Sequence, residues 1–460
     1  MTGARGLATR DREPRPGPPA RGAGGPQLLF WLQRHGLAYC IVGAARYGID
    51  ERCRDIDIVV RPADIAAVAR ILRQFCRSCG GRVVNVVQHE AQAHYFTCAW
   101  TQPGEPPAWM SLDVHAELSV GDRRLCSADE VLAGRVLTHA AEGAGPGLPI
   151  AAPAVEVVYS LAKQIHRRAM SDAAATRLSA EWHRDPEGAR TLLSRWLSGA
   201  ELALVSRAAA SGDWHEVVAQ LPRLRGSWRR RLPRAAPWAR ATRVWRRVRR
   251  PTGLTVAFLG IDGVGKSTVI RGVMSALTPV FARAQYFHFK PQVIPVSPRQ
   301  PEVPMVHPQG KADGLSLRSL VRLGYYLLDY WIGYAGKVWL RRARTTLVMF
   351  DRYFYDLSID PVRLRHRWSM ALAGWLARAV PSPDLVIVLD APPEVVRSRK
   401  QEVPCLEEGT REREEYLRLA KRLPNAHVVD ATEDDTAVVR RVQQIILDHM
   451  ARRAAARLGP

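Results

Sequence analysis

Acidic residues are in short supply. The 460 residues include 44 Asp and Glu against 67 Lys and Arg, a formal net charge of +23. That imbalance excludes an acidic, self-solvating chain. A positive field of this strength suits nucleic acid, anionic lipid or phosphorylated substrates, and Arg-rich codon usage alone would give the same excess. Cysteine is also scarce, at seven: Cys40, Cys53, Cys76, Cys79, Cys98, Cys126 and Cys405. An odd count in a long chain with a sizeable core does not suggest a disulfide framework, and the CxxC of Cys76 and Cys79 has no second pair to complete a zinc site. The N-terminus lacks the apolar core of a signal peptide. No uninterrupted apolar run reaches membrane-spanning length. The most apolar stretch, Ser319 to Leu340, contains Arg322, Asp329 and Lys337. No internal repeat is present. These absences predict a cytoplasmic globular protein without a transmembrane span, with peripheral membrane contact left open.

Apolar residues make up 47% and charged residues 24%, and the length allows two or three domains. Residues 1–26, rich in Gly, Pro, Ala and Arg, have too little apolar surface to offset the entropy of ordering and are expected to form a disordered tail. Residues 27–150 alternate helix and strand signals. Strands are expected at Ala38 to Val42, Ile56 to Val60, Arg82 to Val87, His94 to Trp100 and Trp109 to Val114, with a helix from Pro62 to Phe75, an α+β pattern. Residues 151–222 read as a helical spacer. Residues 223–250 hold twelve Arg with Trp228, Trp238 and Trp245, broken by Pro233 and Pro237, and read as a basic linker. Residues 251–455 alternate strands and helices, the pattern of a parallel α/β fold.

The strongest motif is Gly260-Ile261-Asp262-Gly263-Val264-Gly265-Lys266-Ser267-Thr268, between the apolar strand Leu254 to Leu259 and a helix expected from Thr268 to Leu277. Gly260, Gly263 and Gly265 let backbone N–H groups curl around phosphates. Lys266 adds a point charge, the hydroxyl of Ser267 can hold Mg²⁺, and the helix start at Thr268 adds its dipole. A second apolar strand, Leu347 to Phe350, ends in Asp351-Arg352-Tyr353. Ligands of open α/β sheets gather at such strand ends, where Asp351 can serve the metal shell and Arg352 can clamp a phosphate. A third strand, Asp384 to Asp390, leads into a helix carrying Arg397, Arg399 and Lys400, cations that phosphoryl transfer can use and that a solvated helix face would also carry.

Together GIDGVGKST, the Asp-Arg-Tyr motif and PDLVIVLDAPPEVVRSRK (383–400) resemble the thymidylate kinase family over residues 253–449. The resemblance implies ATP and Mg²⁺ as cofactors and transfer of the γ-phosphoryl group to a nucleoside monophosphate. Carried over by position, Asp262 contacts the acceptor sugar and Arg352 lies between the acceptor phosphate and ATP. The family's catalytic Arg falls in the phosphate loop or the lid. The loop here has none, which leaves Arg397, Arg399 or Lys400. The acceptor half departs from the family: Phe354 to Pro361 replaces its base-holding stretch, and His288-Phe289-Lys290-Pro291 replaces an Arg-Glu-Pro-Gly. Thymidine monophosphate, another nucleotide or a sugar phosphate therefore remain open as acceptors, as in kinase-like proteins of bacterial polysaccharide gene clusters.

In the N-terminal half, Asp55 and Asp57 alternate onto one face of a strand, Asp113 lies on a later strand, and Gly43-Ala44 precedes them. Carboxylates so placed can share divalent metals. The pattern resembles the nucleotidyltransferase superfamily related to polymerase β over residues 30–120, with Ala44 in place of that family's Gly or Ser. The expected molecule is thus an α/β protein: a P-loop parallel sheet with flanking helices, preceded by an α+β nucleotidyltransferase-like domain and a helical spacer. The competing function is a non-catalytic ATP-binding regulator or scaffold. Self-association into a homodimer is left open, and no specific nucleic-acid site is expected.

Overall fold

The computed structural model describes residues 24–43, 55–102, 105–138, 147–234, 237–291, 317–359, 369–399 and 406–458. The chain divides into two compact units, Met1–Ala241 with Met450–Pro460, and Thr242–His449. In chain order the helices are α1 (Gly24–Arg34), α2 (Ile65–Ser78), α3 (Ala128–Ala133), α4 (Pro153–Arg167), α5 (Asp172–Arg184), α6 (Pro186–Leu193), α7 (Gly199–Ser211), α8 (His215–Arg231), α9 (Pro237–Arg249), α10 (Lys266–Ala276), α11 (Leu317–Gly333), α12 (Leu340–Ala343), α13 (Ser369–Leu376), α14 (Pro393–Arg399), α15 (Leu406–Arg422) and α16 (Asp435–Leu458). The strands are β1 (Tyr39–Val42), β2 (Asp55–Val60), β3 (Gly81–Glu90), β4 (Ala93–Trp100), β5 (Ala108–His115), β6 (Glu117–Val120), β7 (Arg123–Ser127), β8 (Val136–Leu137), β9 (Pro149–Ile150), β10 (Leu254–Leu259), β11 (Arg283–His288), β12 (Thr346–Asp351), β13 (Leu385–Asp390) and β14 (Ala426–Asp430).

In the first unit seven strands form a mixed sheet in the order β3-β4-β5-β2-β1-β9-β8. The amphipathic helix α2 buries Val68, Ile71, Leu72 and Phe75 in a core with Ile56, Ile58, Phe96 and Leu112 from the sheet. Residues 151–222, expected to be a spacer, are instead part of the unit's own packing. Val157, Leu161 and Ile165 of α4 share a continuous core with Val42 and Val59 of the sheet and with Leu178, Trp182 and Trp196 from the helices that follow.

The basic linker expected at 223–250 also differs. Its first part completes α8 and buries Leu224 and Trp228 in the same core. The Arg residues obscured this, because the apolar positions 217, 221, 224 and 228 keep helical spacing between them. The long Arg side chains can lie along the surface while their heads stay in water. From Pro237 onward α9 buries no residue at all. Of the tail expected at residues 1–26, Gly24 to Pro26 belong to α1, and residues 1–23 lie outside the described residues.

The second unit is built on five parallel strands ordered β11-β12-β10-β13-β14. β10 and β12 are buried along their whole length, as central strands covered on both faces must be. At the start of β10, Thr255 donates both its N–H and its hydroxyl to Asp384 Oδ2, each at 2.7 Å, while Arg342 reaches Asp384 Oδ1 at 2.6 Å. That clip fixes the register of β10 against β13. The chain leaves β10 for β11 and β12 on one side, and β13 and β14 lie on the other, which makes the carboxyl end of β10 a switch point where a ligand crevice opens. The apolar stretch Ser319 to Leu340 forms α11, a π-helical turn at Tyr334–Trp339 and the start of α12. No described helix is long and apolar enough to cross a membrane.

Candidate active site

The phosphate loop sits at that switch point. Its three glycines have left-handed φ values of 139° at Gly260, 87° at Gly263 and 99° at Gly265. Gly260 needs glycine twice over, because a Cβ there would stand 2.5 Å from the carbonyl oxygen of Leu389 on β13. α10 begins at Lys266, two residues before the expected Thr268, whose own N–H bonds back to Gly265. The helix N-terminus therefore lies inside the motif. Lys266 is buried and folds over the loop, donating to the carbonyls of Gly260 (2.8 Å) and Ile261 (2.9 Å).

Asp351, the last residue of β12, is buried beside the loop. Its Oδ2 accepts from Ser267 Oγ at 2.7 Å and from Tyr286 OH at 3.0 Å. Burial and the neighbouring Asp351 push the Tyr286 hydroxyl up to about 12, so it remains a donor at neutral pH. Arg352 follows with a left-handed φ of 76°, and its N–H bonds to the Phe258 carbonyl at 2.9 Å. From this left-handed backbone the Arg352 side chain forms an ion pair with Asp262 of the loop. The structure thus brings Asp262, Lys266, Ser267, Asp351 and Arg352 together.

The expected lid cations are not so gathered. Arg397 is exposed on α14. Arg399 donates to the carbonyls of Ala431 (2.7 Å) and Thr432 (2.9 Å), which fastens α14 to the end of β14. Lys400 lies outside the described residues.

Sequence reading assigned no role to four groups of this unit. Arg413 of α15 makes a bidentate pair with Asp390 at 2.6 and 2.9 Å, beside Gly260 and Ile261. Tyr416, three residues on, donates to the fully buried Asp356 at 2.6 Å, and the spacing that puts both on one face of α15 was available in the sequence. The other two are Tyr286 and Lys290. Lys290 is buried, bonds Tyr325 OH at 3.0 Å and lies 4.3 Å from that ring's centre and 5.2 Å from Tyr326. Of the three tyrosines on α11, Tyr330 is wholly buried and Tyr325 and Tyr326 flank this lysine.

In the first unit β2 and β5 run parallel with Asp57 opposite Asp113 and Asp55 opposite Ser111, which puts the three acids on one face. They are close enough to interact: burial first, then Asp57 and Asp113, raise the Asp55 carboxyl. These are the three carboxylates expected to hold metal. No group of three His, Cys, Asp or Glu among the described residues is arranged to hold a metal ion. Other groups balance the charges instead. Asp57 Oδ2 accepts from Lys163 Nζ at 2.7 Å and Tyr159 OH at 3.1 Å. Asp113 Oδ2 lies 3.4 Å from both His89 and His115. Burial alone would raise the Asp113 carboxyl and lower His115; the pairing between them outweighs it, so Asp113 ends lowered and His115 raised. Lys163, Tyr159 and His89 sit on elements remote in sequence, and no local spacing announced them. Gly43 (φ 82°) closes the site, its N–H donating to the buried Glu156 at 2.8 Å.

No family profile matches the chain. Among known proteins, the thymidylate kinase of Xanthomonas campestris pv. campestris is 29% identical over 211 residues, 44% of this chain and 87% of that protein. A probable thymidylate kinase of Saccharolobus solfataricus is 33% identical over 121 residues, 24% of this chain and 59% of that protein. The solved thymidylate kinase of Ehrlichia chaffeensis aligns with 42% of this chain and 98% of its own, at 17% identity and a TM-score of 0.28. The thymidylate kinase of Xanthomonas euvesicatoria pv. vesicatoria is 30% identical over 216 residues, which are 44% of this chain and 88% of that protein. With that degree of identity across nearly the whole of a relative, and with the phosphate loop and Asp-Arg-Tyr motif folded together at one sheet end, the chain belongs to the thymidylate kinase family.

Proposed function

We propose that the second unit is an ATP-dependent kinase that transfers the γ-phosphoryl group to a nucleoside monophosphate. The observation that carries this reading is the 2.7 Å contact between Ser267 and the buried Asp351 at the mouth of the phosphate loop. A hydroxyl and a carboxylate meeting there suit a hard cation that takes oxygen ligands, and Mg²⁺ is such an ion. When bound, it would neutralise charge on the β- and γ-phosphates. The chain's own residues do the rest. The loop's backbone N–H groups and the start of α10 hold the donor phosphates. Lys266 can exchange its two carbonyl partners for phosphate oxygens. Arg352, fixed by Asp262, is placed to hold acceptor and donor phosphates together, and Asp262 to meet the acceptor's sugar. Arg397 and Lys400 are candidates for a lid cation, a role less suited to Arg399, whose guanidinium is already bonded.

Support for thymidine monophosphate in particular is weaker on the acceptor side, where Phe354 to Pro361 stands in place of the family's base-holding stretch and Lys290, flanked by Tyr325 and Tyr326, lies in the stretch that replaces its Arg-Glu-Pro-Gly. Specificity comes from polar groups that a wrong substrate leaves unpaired, so discrimination among bases is expected to be shallow. The test is an acceptor screen with labelled ATP, covering nucleoside monophosphates, sugars and sugar phosphates. Transfer to one or more nucleoside monophosphates supports the proposal. ATP binding without transfer to any of them would favour the regulatory alternative. High efficiency on thymidine monophosphate with the others rejected would refute the shallow-specificity expectation.

For the first unit, the shared face of Asp55, Asp57 and Asp113 supports a nucleotidyltransferase-like origin. The Lys163 and histidine pairings favour a site that binds phosphorylated ligands over one that holds two metal ions unaided.

A further inference from the structure

We propose that α9 is an interfacial helix that docks the protein onto an anionic phospholipid bilayer. The helix is exposed along its length and contains no acidic residue; none occurs anywhere between Leu232 and Gly260. Its side chains are sorted by face. Trp238, Ala241, Val244, Trp245 and Val248 recur at intervals of three, three, one and three residues, which stacks them on one side of an α-helix. Arg243 and Arg246 lie on the rest of the helix with Ala239 and Thr242, Arg249 lies at the margin, and Arg240 and Arg247 turn to protein partners, Asp122 at 3.5 Å and Thr345 Oγ1 at 3.3 Å. The apolar side faces solvent: Trp238 is 71% exposed, Trp245 57% and Val244 56%. At its C-terminal end the exposed Trp339 stands against the helix, its indole donating to the Val248 carbonyl at 2.8 Å.

A helix with Trp and Val on one face, and with no charge other than Arg elsewhere, is built for the boundary between headgroups and acyl chains. The Arg249 guanidinium lies over the Trp245 ring at 4.8 Å, so a charge at the margin can follow the indole toward the headgroups. Two other occupants fit less well. Single-stranded nucleic acid wants basic and aromatic groups interleaved on one surface, so that bases stack while phosphates are paired. Here Arg249 alone stacks on an indole, and the other four Arg residues of the helix lie away from the Trp face. A second copy of the chain would bring two all-basic helices together, and their charges would repel.

The test is co-sedimentation of the full-length protein with vesicles near physiological ionic strength, using neutral phosphatidylcholine vesicles and vesicles with a third of an anionic phospholipid. The expected result is partition onto the anionic vesicles only. Arg246→Ser with Arg249→Ser should weaken it by roughly fivefold for each charge removed. Trp238→Ser with Trp245→Ser should abolish sedimentation while leaving retention on heparin and thermal unfolding unchanged, because those side chains are exposed and uncharged. No partition onto anionic vesicles would overturn the proposal. So would partition indifferent to the Trp substitutions, or a Trp-dependent preference for single-stranded nucleic acid over vesicles.

Discussion

Gly260 and Gly265 share a left-handed backbone but not an environment, and this separates fold from ligand binding in the phosphate loop. Gly260→Ala carries two penalties. The backbone conformation costs about 1–3 kcal/mol for a residue with a Cβ. The new carbon would also stand 2.5 Å from the Leu389 carbonyl, against main chain that cannot rotate away, so β10 and β13 must part at roughly 1–3 kcal/mol more. Gly265→Ala meets nothing within 4 Å and carries only the conformational cost, about 1–2 kcal/mol. For a unit of this size each kcal/mol lowers the melting temperature by roughly 2–4 °C. Gly260→Ala should therefore lower the nucleotide-responsive melting transition by roughly 4–24 °C, and Gly265→Ala by roughly 2–8 °C. The loss of the nucleotide-dependent shift should rank the other way. The space beside Gly265 is where donor phosphates would approach the backbone, so its Cβ should remove most of the stabilisation by Mg-ATP, about 2.7 kcal/mol at a hundredfold excess over Kd. Differential scanning fluorimetry with and without Mg-ATP reads both quantities. A Gly260→Ala variant melting within a degree or two of the parent, or a Gly265→Ala variant that keeps its full nucleotide shift, would refute the reasoning.

Lys266→Ala should lower phosphoryl transfer by at least about a hundredfold with little change in melting temperature, as single turnover with labelled ATP would show, since its charge serves the migrating phosphoryl group. Trp228→Ala should destabilise the first unit by about 3–5 kcal/mol in urea unfolding, because this side chain is wholly buried in the helical core; a loss below 1 kcal/mol would return the segment to the status of a linker. Lys163→Met should cost roughly 1–3 kcal/mol by leaving Asp57 with only Tyr159, and Asp57→Asn in the same chain should recover much of it. Equal losses in the single and double variants would show that the pair does not act as a unit.

What was legible in the sequence follows from the range of the interactions. The phosphate loop and the β12 terminus are read from contiguous residues, because backbone geometry and strand burial are decided within a few positions. Strands β2 to β5 were placed within a few residues for the same reason. Arg413 and Lys163 were not legible: each finds its carboxylate 23 and 106 residues away, at the far side of a fold that only tertiary packing defines. The 223–250 segment misled in a different way. Twelve Arg residues dominate its composition, yet burial is settled by the apolar positions between them, and Leu224 and Trp228 keep helical spacing with Val217 and Leu221.

The ammonium of Lys163, 2.7 Å from Asp57, acts as a resident counter-ion. A bare divalent cation arriving at this carboxylate must evict it, and the displaced charge then has to find water or another partner. A cation arriving already complexed to a polyphosphate brings the replacement with it, since phosphate oxygens can take over the lysine as the metal takes over the aspartate. The two exchanges offset each other, so a site of this construction discriminates by the company an ion keeps, not by the ion alone.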